Sequence, residues 1–347
     1  MRHLKISTNS RRYRAMIGVG GIGTGSFFAL SGNHTLGREE SRGGRFIDRK
    51  DYCKLHIISH YVQTLLGSDF SVIPVGRVGN DEPGRRLHAE MEEAGLEMRY
   101  VEVSPGEQTL FSFCFIYPDG SGGNMTTDDS ACSRVDSAFV AQAEPEFARF
   151  EGRGIALAAP EVPIEARRKL LEIGTAHCFF RAASFNSEEI SEAMASGMLG
   201  LVDFLAINID EALAATGSEP GNMNRDQIVD LAVQKLRSAN PDILISITAG
   251  PHGSWSWDGA AINHLPIYKA GAQSTAGAGD AHFSGMIVGL TLGLPFAEAQ
   301  HLGSLVGALS VTSPHTLNKD IRGDSLREFA RQSQAALPES VRGLLEE

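Results

Sequence analysis

Between residues 154 and 247 the apolar positions fall into short runs separated by stretches of helical spacing. The runs at 154–159, 177–183, 199–207 and 242–247 read as buried strands, and 163–173 and 187–195 as the helices between them. This alternation predicts a mostly parallel sheet covered by helices, with ligands at the carboxyl ends of its strands. Upstream, 15–21 reads as a strand entering a Gly-rich turn, 52–66 as an amphipathic helix and 70–76 as another strand, followed by a helix that ends near Gly95. The segment 24–32 makes a poor helix, with two glycines and no cap, and 37–51 is a polar stretch rich in Gly and Arg. Short alternating strands at 99–103 and 109–117 precede a turn at 118–123, and 254–257 and 261–265 read as a hairpin about Asp258-Gly259. Helices are expected over 295–310, about 323–334, and from 338 to the end.

Composition narrows the classes. At 347 residues, with 42% hydrophobic and 21% charged positions, the chain can bury a sizeable core. A net charge of −11 argues against a nucleic-acid partner, and no apolar run reaches the length of a membrane span. Cys53, Cys114, Cys132 and Cys178 form no C-x-x-C pair, so reduced thiols in a cytoplasmic protein are expected rather than zinc or disulfides. Residues 1–14 are basic and acid-free without an apolar core segment, which reads as a disordered tail ahead of a single domain over 15–347, or as a start at Met16.

The chain is organised around Ser274-Thr275-Ala276-Gly277-Ala278-Gly279-Asp280, which opens onto an apolar run long enough for a buried helix. Asp280 suits the first turn as a cap beside the helix dipole. That reading leaves Gly277 and Gly279 unexplained; glycines there let backbone N–H groups approach an anion, with Asp280 as a general base beside them. Gly18, Gly20 and Gly23 satisfy a G-x-G-x-x-G pattern, but no good helix and no acid at a strand end follow, so a dinucleotide site is disfavoured. His56 and His60 share a helix face without a third ligand, so core or surface histidines are favoured over a metal pair. Asn208 and Glu211 at a strand end fit either a capping box or a ligand-binding pair. Thr248, Gly250 and Gly253 form a T-x-G-x-x-G turn that a hairpin alone would explain.

Four of these segments, in order over roughly 70–320, resemble the PfkB/ribokinase family of carbohydrate and nucleoside kinases. They are Val75-Gly76-Arg77-Val78-Gly79-Asn80-Asp81 with Gly84, Asn208 with Glu211, the Thr248–Gly253 turn, and Gly277-Ala278-Gly279-Asp280. The resemblance implies an α/β/α sandwich with a small β lid drawn from about 18–50 and 98–125. It implies that Asp280 deprotonates an acceptor hydroxyl while Gly277, Ala278 and Gly279 hold the transferring phosphoryl group. Thr248, Gly250, Gly253 and Asn208 would border ATP, and Glu211 and Asn208 would organise Mg²⁺; the edge strands of the lid also invite pairing with a second copy.

The substrate half departs from the family pattern. Gly25 stands where an Asp usually binds sugar hydroxyls, and residues 53–58 replace G-G-x-x-x-N. Gly43, Gly44 and Asp48 are the candidate substitutes. Ser274-Thr275-Ala276 replaces Asp-Thr-Thr, which weakens the case for a monovalent cation. The expected function is ATP-dependent phosphorylation of a hydroxyl on a sugar-like molecule; a nucleoside kinase and a catalytically silent binding protein are the alternatives.

Overall fold

The computed structural model describes residues 3–4, 11–219, 221, 223–333 and 336–346. In chain order the first strands are β1 (Ala15–Val19), β2 (Gly23–Leu30), β3 (Gly44–Tyr52), β4 (Ser71–Gly79), β5 (Tyr100–Ser104), β6 (Leu110–Ile116) and β7 (Gly122–Thr126). They are followed by β8 (Gly154–Ala158), β9 (Phe180–Ala183), β10 (Phe204–Asn208), β11 (Leu244–Thr248), β12 (Ser254–Trp257) and β13 (Ile262–Leu265). The helices are α1 (Lys54–Leu66), α2 (Glu82–Glu93), α3 (Ser137–Ala141), α4 (Glu144–Phe150), α5 (Ile164–Ala176) and α6 (Glu189–Ala195). Then come α7 (Ile209–Thr216), α8 (Arg225–Ala239), α9 (Ala278–Thr291), α10 (Phe296–Ser310), α11 (Gly323–Gln332) and α12 (Glu339–Glu346).

Nine strands form the central sheet in the order β13-β12-β11-β10-β9-β8-β1-β4-β5. It is parallel from β11 to β5 and ends in the antiparallel β12–β13 hairpin. Period-2 alternation splits each strand between two cores. Met16, Ile155, Leu157 and Phe204 pack with helices α1, α9 and α10, whereas Ile17, Ala156 and Leu205 face the opposite helical layer. Phe204 meets Phe283 and Phe296 edge-on, with ring centroids 5.1 and 5.0 Å apart. The result is a three-layer α/β/α sandwich.

A second sheet, β3-β2-β6-β7, forms the lid. Its β2 and β6 run parallel, from Gly23 opposite Leu110 to Ala29 opposite Ile116, although the two segments are far apart in sequence. The segment expected to be a poor helix is therefore a strand. At Gly25 a Cβ would approach the Ser112 carbonyl to 2.5 Å, so this pairing needs the glycine. The polar stretch before α1 supplies β3, whose outer half is solvent-exposed; charge there marks an exposed strand rather than a loop. The segment expected at 99–103 does not enter the lid. As β5 it pairs with β4 at the edge of the central sheet.

Gly18 lies in β1, and Gly20 and Gly23 lead into strand β2 rather than a helix; crowding explains these last two. A Cβ at Gly20 would lie 2.7 Å from Ala159 Cβ, and one at Gly23 2.5 Å from the Leu110 carbonyl oxygen. Of the expected basic tail, His3, Leu4 and 11–14 are docked rather than free. Leu4 and Tyr13 are buried, Leu4 N–H donates to Leu65 O at 3.0 Å, and the Arg11 guanidinium donates to Leu66 O at the end of α1. Residues 1–2 and 5–10 lie outside the described residues. His56 and His60 are buried on α1, where desolvation holds His56 well below the usual histidine range and His60 at about 4, as core histidines.

Candidate active site

The mouth of α9 sets the geometry. Gly277 caps the helix in the left-handed region, at φ +80°, and a Cβ there would stand 2.2 Å from Thr316 O. Only glycine meets both demands. Ala278 N–H is already engaged, donating to Thr275 O at 3.2 Å, and Ala281 N–H donates to Gly277 O. Among the described residues, the amides of Gly279 and Asp280 have no backbone acceptor. They are the donors left for an anion at a helix N-terminus. Asp280, half-buried in the first turn, has its carboxyl raised above the ordinary range by desolvation, with Lys54 opposing.

Neighbouring strand ends converge on this mouth. A Cβ on Gly279 would sit 3.6 Å from Thr248 Oγ1, and Thr248 is paired in register with Asn208 on the adjacent strand. Asn208 Oδ1 accepts from the N–H groups of Asp210 and Glu211 at 2.9 Å each, and Glu211 Oε2 accepts from Asn208 N–H at 2.8 Å. The capping box is thus complete. It occupies only one Glu211 oxygen; Oε1 lies 3.7 Å from Lys54 Nζ. Burial raises the Glu211 carboxyl, and Lys54 opposes the shift. Gly253 sits at the open end of the hairpin, where a Cβ would strike Leu265 O at 2.1 Å, whereas Gly250, also at positive φ, stands open.

Three residues that carried no role in the sequence reading complete the cluster. Lys54 opens α1 directly after the lid strand β3. Burial works against its charge, but the Asp280, Glu211 and Glu161 carboxylates outweigh it and raise its pKa. Glu161 follows β8 with φ +74°, a strained position for a side chain of this kind. Its Oε2 accepts from Lys54 N–H at 3.3 Å, and desolvation lifts its carboxyl to about 7. A Cβ on Gly21 would lie 2.4 Å from that oxygen, so the glycine makes room for the acid. Asp51 is the third. It is buried at the end of β3 opposite Gly25, and burial raises its carboxyl, with a contribution from Asp280. Glu161 had a faint signal, an acid between prolines just past a predicted strand; the other two had none.

Of the expected substrate residues, Gly43 and Gly44 sit at the other end of β3 and Asp48 at its middle. Gly43 and Gly44 are exposed at its start, and Gly44 is required by packing, since a Cβ would lie 2.3 Å from Ala29 O. Asp48 is exposed. Among the described residues no group of three or more His, Cys, Asp or Glu is placed to hold a metal ion. All four cysteines are free, with Cys53 and Cys132 buried. No described helix is long and apolar enough to cross a membrane.

A mostly parallel α/β/α sandwich carrying a small four-stranded sheet, with an acid at a Gly-rich helix mouth, is a ribokinase-like fold. The chain belongs to the pfkB family of carbohydrate kinases, whose family model matches residues 60–321. The fold is shared with a ribokinase from Cryptococcus neoformans var. grubii serotype A in complex with ADP, at TM-score 0.75 and 18% identity over 91% of this chain and 99% of that one. An adenosine kinase from Sinorhizobium meliloti superposes at TM-score 0.70 and 19% identity, covering 93% and 99% of the two chains. Among curated proteins, 56 residues are 38% identical to the uncharacterized sugar kinase YegV of Escherichia coli (strain K12). That stretch is 16% of this chain and spans only 17% of the relative's length.

Proposed function

We propose that residues 15–347 form a kinase domain that transfers the γ-phosphoryl group of ATP to a hydroxyl of a sugar or sugar-derived small molecule. Asp280 takes the proton as the hydroxyl oxygen attacks phosphorus. The new O–P bond forms as the bond to the β-phosphate oxygen breaks, and ADP leaves. The amides of Gly279 and Asp280, supported by the turn through Gly277 and Ala278, hold the transferring group, and Lys54 offsets its charge. Thr248, Gly250, Gly253 and Asn208 border ATP. Phosphoryl transfer asks a protein chiefly for positioning and charge stabilisation, and this set supplies both. One observation carries the reading: a desolvated carboxylate in the first turn of α9 beside two amides without a backbone acceptor.

Magnesium fits as an ion carried in with ATP. Glu211 Oε1 is free of the capping box, and no all-protein cage exists among the described residues. Mg²⁺ is ordinarily held by one or two carboxylates together with substrate phosphates and water. Asn208 and Glu211 would hold its water shell, and the ion would neutralise charge on the phosphate oxygens. The reading also includes a cytoplasmic location, in keeping with four free cysteines, and pairing of two copies through the outer lid, where Phe46 is 68% exposed. Light scattering of a Phe46→Ser variant checks the pairing.

The decisive assay is ADP release with Mg-ATP over sugars, sugar acids, sugar phosphates and nucleosides, with Asp280→Asn alongside. Loss of a general base lowers rate by about 10²–10⁴ while ATP binding stays within a few-fold. A variant that keeps more than about a tenth of the wild-type rate would falsify the base assignment.

A further inference from the structure

Asp51 is a buried carboxylate that the fold does not explain. No basic side chain pairs with it among the described residues. Its partners are weak or neutral: the Cys114 thiol donates to Oδ2 at 3.6 Å, and the Thr316 hydroxyl and Tyr52 N–H contact the carboxylate. A buried charge without a cation is costly unless something else donates to it. The residue is also held firmly where it is. Thr316 N–H donates to Lys50 O at 3.2 Å, Tyr52 N–H to Thr316 Oγ1 at 2.9 Å, and Lys50 N–H to His315 Nδ1 at 2.9 Å. The Thr316 carbonyl in turn packs on Gly277. The end of β3 is therefore fastened to the loop that abuts the mouth of α9, between the lid and Asp280.

Gly25 lies directly across the strand pair, and a Cβ there would come within 2.6 Å of Asp51 Oδ2. The absence of a side chain on β2 gives the carboxylate from β3 its space. The Asp280 charge acts on Asp51, and no basic side chain pairs with Asp51 among the described residues, which calls for neutral donors between the two carboxylates. A pair of neighbouring hydroxyl groups supplies one donor to each.

We propose that Asp51 is the acceptor-recognition residue of this kinase, accepting a hydrogen bond from the hydroxyl adjacent to the one phosphorylated, so that the acceptor is a vicinal diol. The proposal rests on the kinase reading above. The diol comes either from a free sugar or from the ribose of a nucleoside, and deoxy analogues of both separate the sources.

The test compares the best acceptor of the ADP-release panel with its analogue lacking the adjacent hydroxyl, in wild type and in Asp51→Asn. Wild type is expected to reject the analogue by about a hundredfold or more in kcat/KM, as sites built around a substrate hydroxyl do. Asp51→Asn lowers kcat/KM for the full acceptor, keeps the KM for ATP within a few-fold, and shrinks the discrimination at least tenfold. A merely structural role lowers both acceptors alike, and unchanged discrimination overturns the proposal. Calorimetry on Asp280→Asn, with and without Asp51→Asn, reads acceptor binding without turnover. Turnover of an acceptor that lacks the adjacent hydroxyl at a kcat/KM close to that of the full acceptor overturns the proposal and leaves the kinase reading standing. No binding of any diol overturns it as well, and retained activity in Asp280→Asn is what overturns the base assignment instead.

Discussion

The carboxyl rim of the central sheet and the lid above it are held by different means. On the rim, backbone constraints fix the chemistry: Gly277 has room for no side chain, Asn208 and Glu211 lock each other in a capping box, and Glu161 is fitted over Gly21. On the lid, strands pair across long sequence separations and leave Phe46 and Met125 exposed, while the end of β3, Thr24 on β2 and Leu110 on β6 tie it to the rest. The rim tolerates little change; the lid is free to vary wherever it is not fastened. In the proposed reading, phosphate chemistry belongs to the first and acceptor choice to the second.

The largest effect expected to sharpen this contrast comes from charge. Lys54→Met removes the cation amid three carboxylates, and turnover should fall by about 10²–10³, as for loss of one transition-state donor. Asp48→Asn on the exposed lid strand should stay within about twofold; equal losses in the two variants would erase the distinction. Packing comes next. Phe204→Ala, between Phe283 and Phe296, should cost about 3–5 kcal/mol in denaturant unfolding, against roughly 0.5 kcal/mol or less for Met125→Ala on the exposed lid strand. Gly277→Ala should destabilise by about 1–3 kcal/mol and lose activity even in the folded fraction, because both φ and the Thr316 carbonyl oppose a Cβ.

The smallest effect is a pH dependence. Glu161 is raised from 4.5 to about 7, so the folded state holds its proton more tightly than the unfolded chain does. Its contribution to stability is complete below pH 4.5 and disappears as pH rises through about 7. Melting curves of wild type and Glu161→Gln between about pH 5 and pH 8 should diverge, wild type losing more; parallel curves would place the proton elsewhere.

The same contrast governs what the sequence discloses. Rim residues announce themselves because local chemistry fixes them: a Gly-small-Gly-Asp run before an apolar helix, an Asn three residues before a Glu. Strand–helix alternation gives the central sheet for the same reason. The lid resists, because most of β3 is exposed or half-exposed, so its charges mimic a loop. Glycines in β2 serve interstrand approach and mimic a broken helix. Asp51 and Lys54 gain their meaning only from partners such as Gly25, Thr316 and Glu211, which no spacing along the chain reveals. β5 reads like any short strand, and only its partner β4 assigns it to the central sheet.

The fastening of β3 to His315 and Thr316 also sets an order of events during synthesis. The lid's first strands leave the ribosome early, yet β2 waits for β6, and the seat for β3 is among the last segments made. Until then the nascent chain carries unpaired strand edges and the Phe28, Phe46 and Phe113 rings with no completed domain beneath them. The interval before the C-terminal third emerges is when this protein is most exposed to misassembly, and when a chaperone has most to shield.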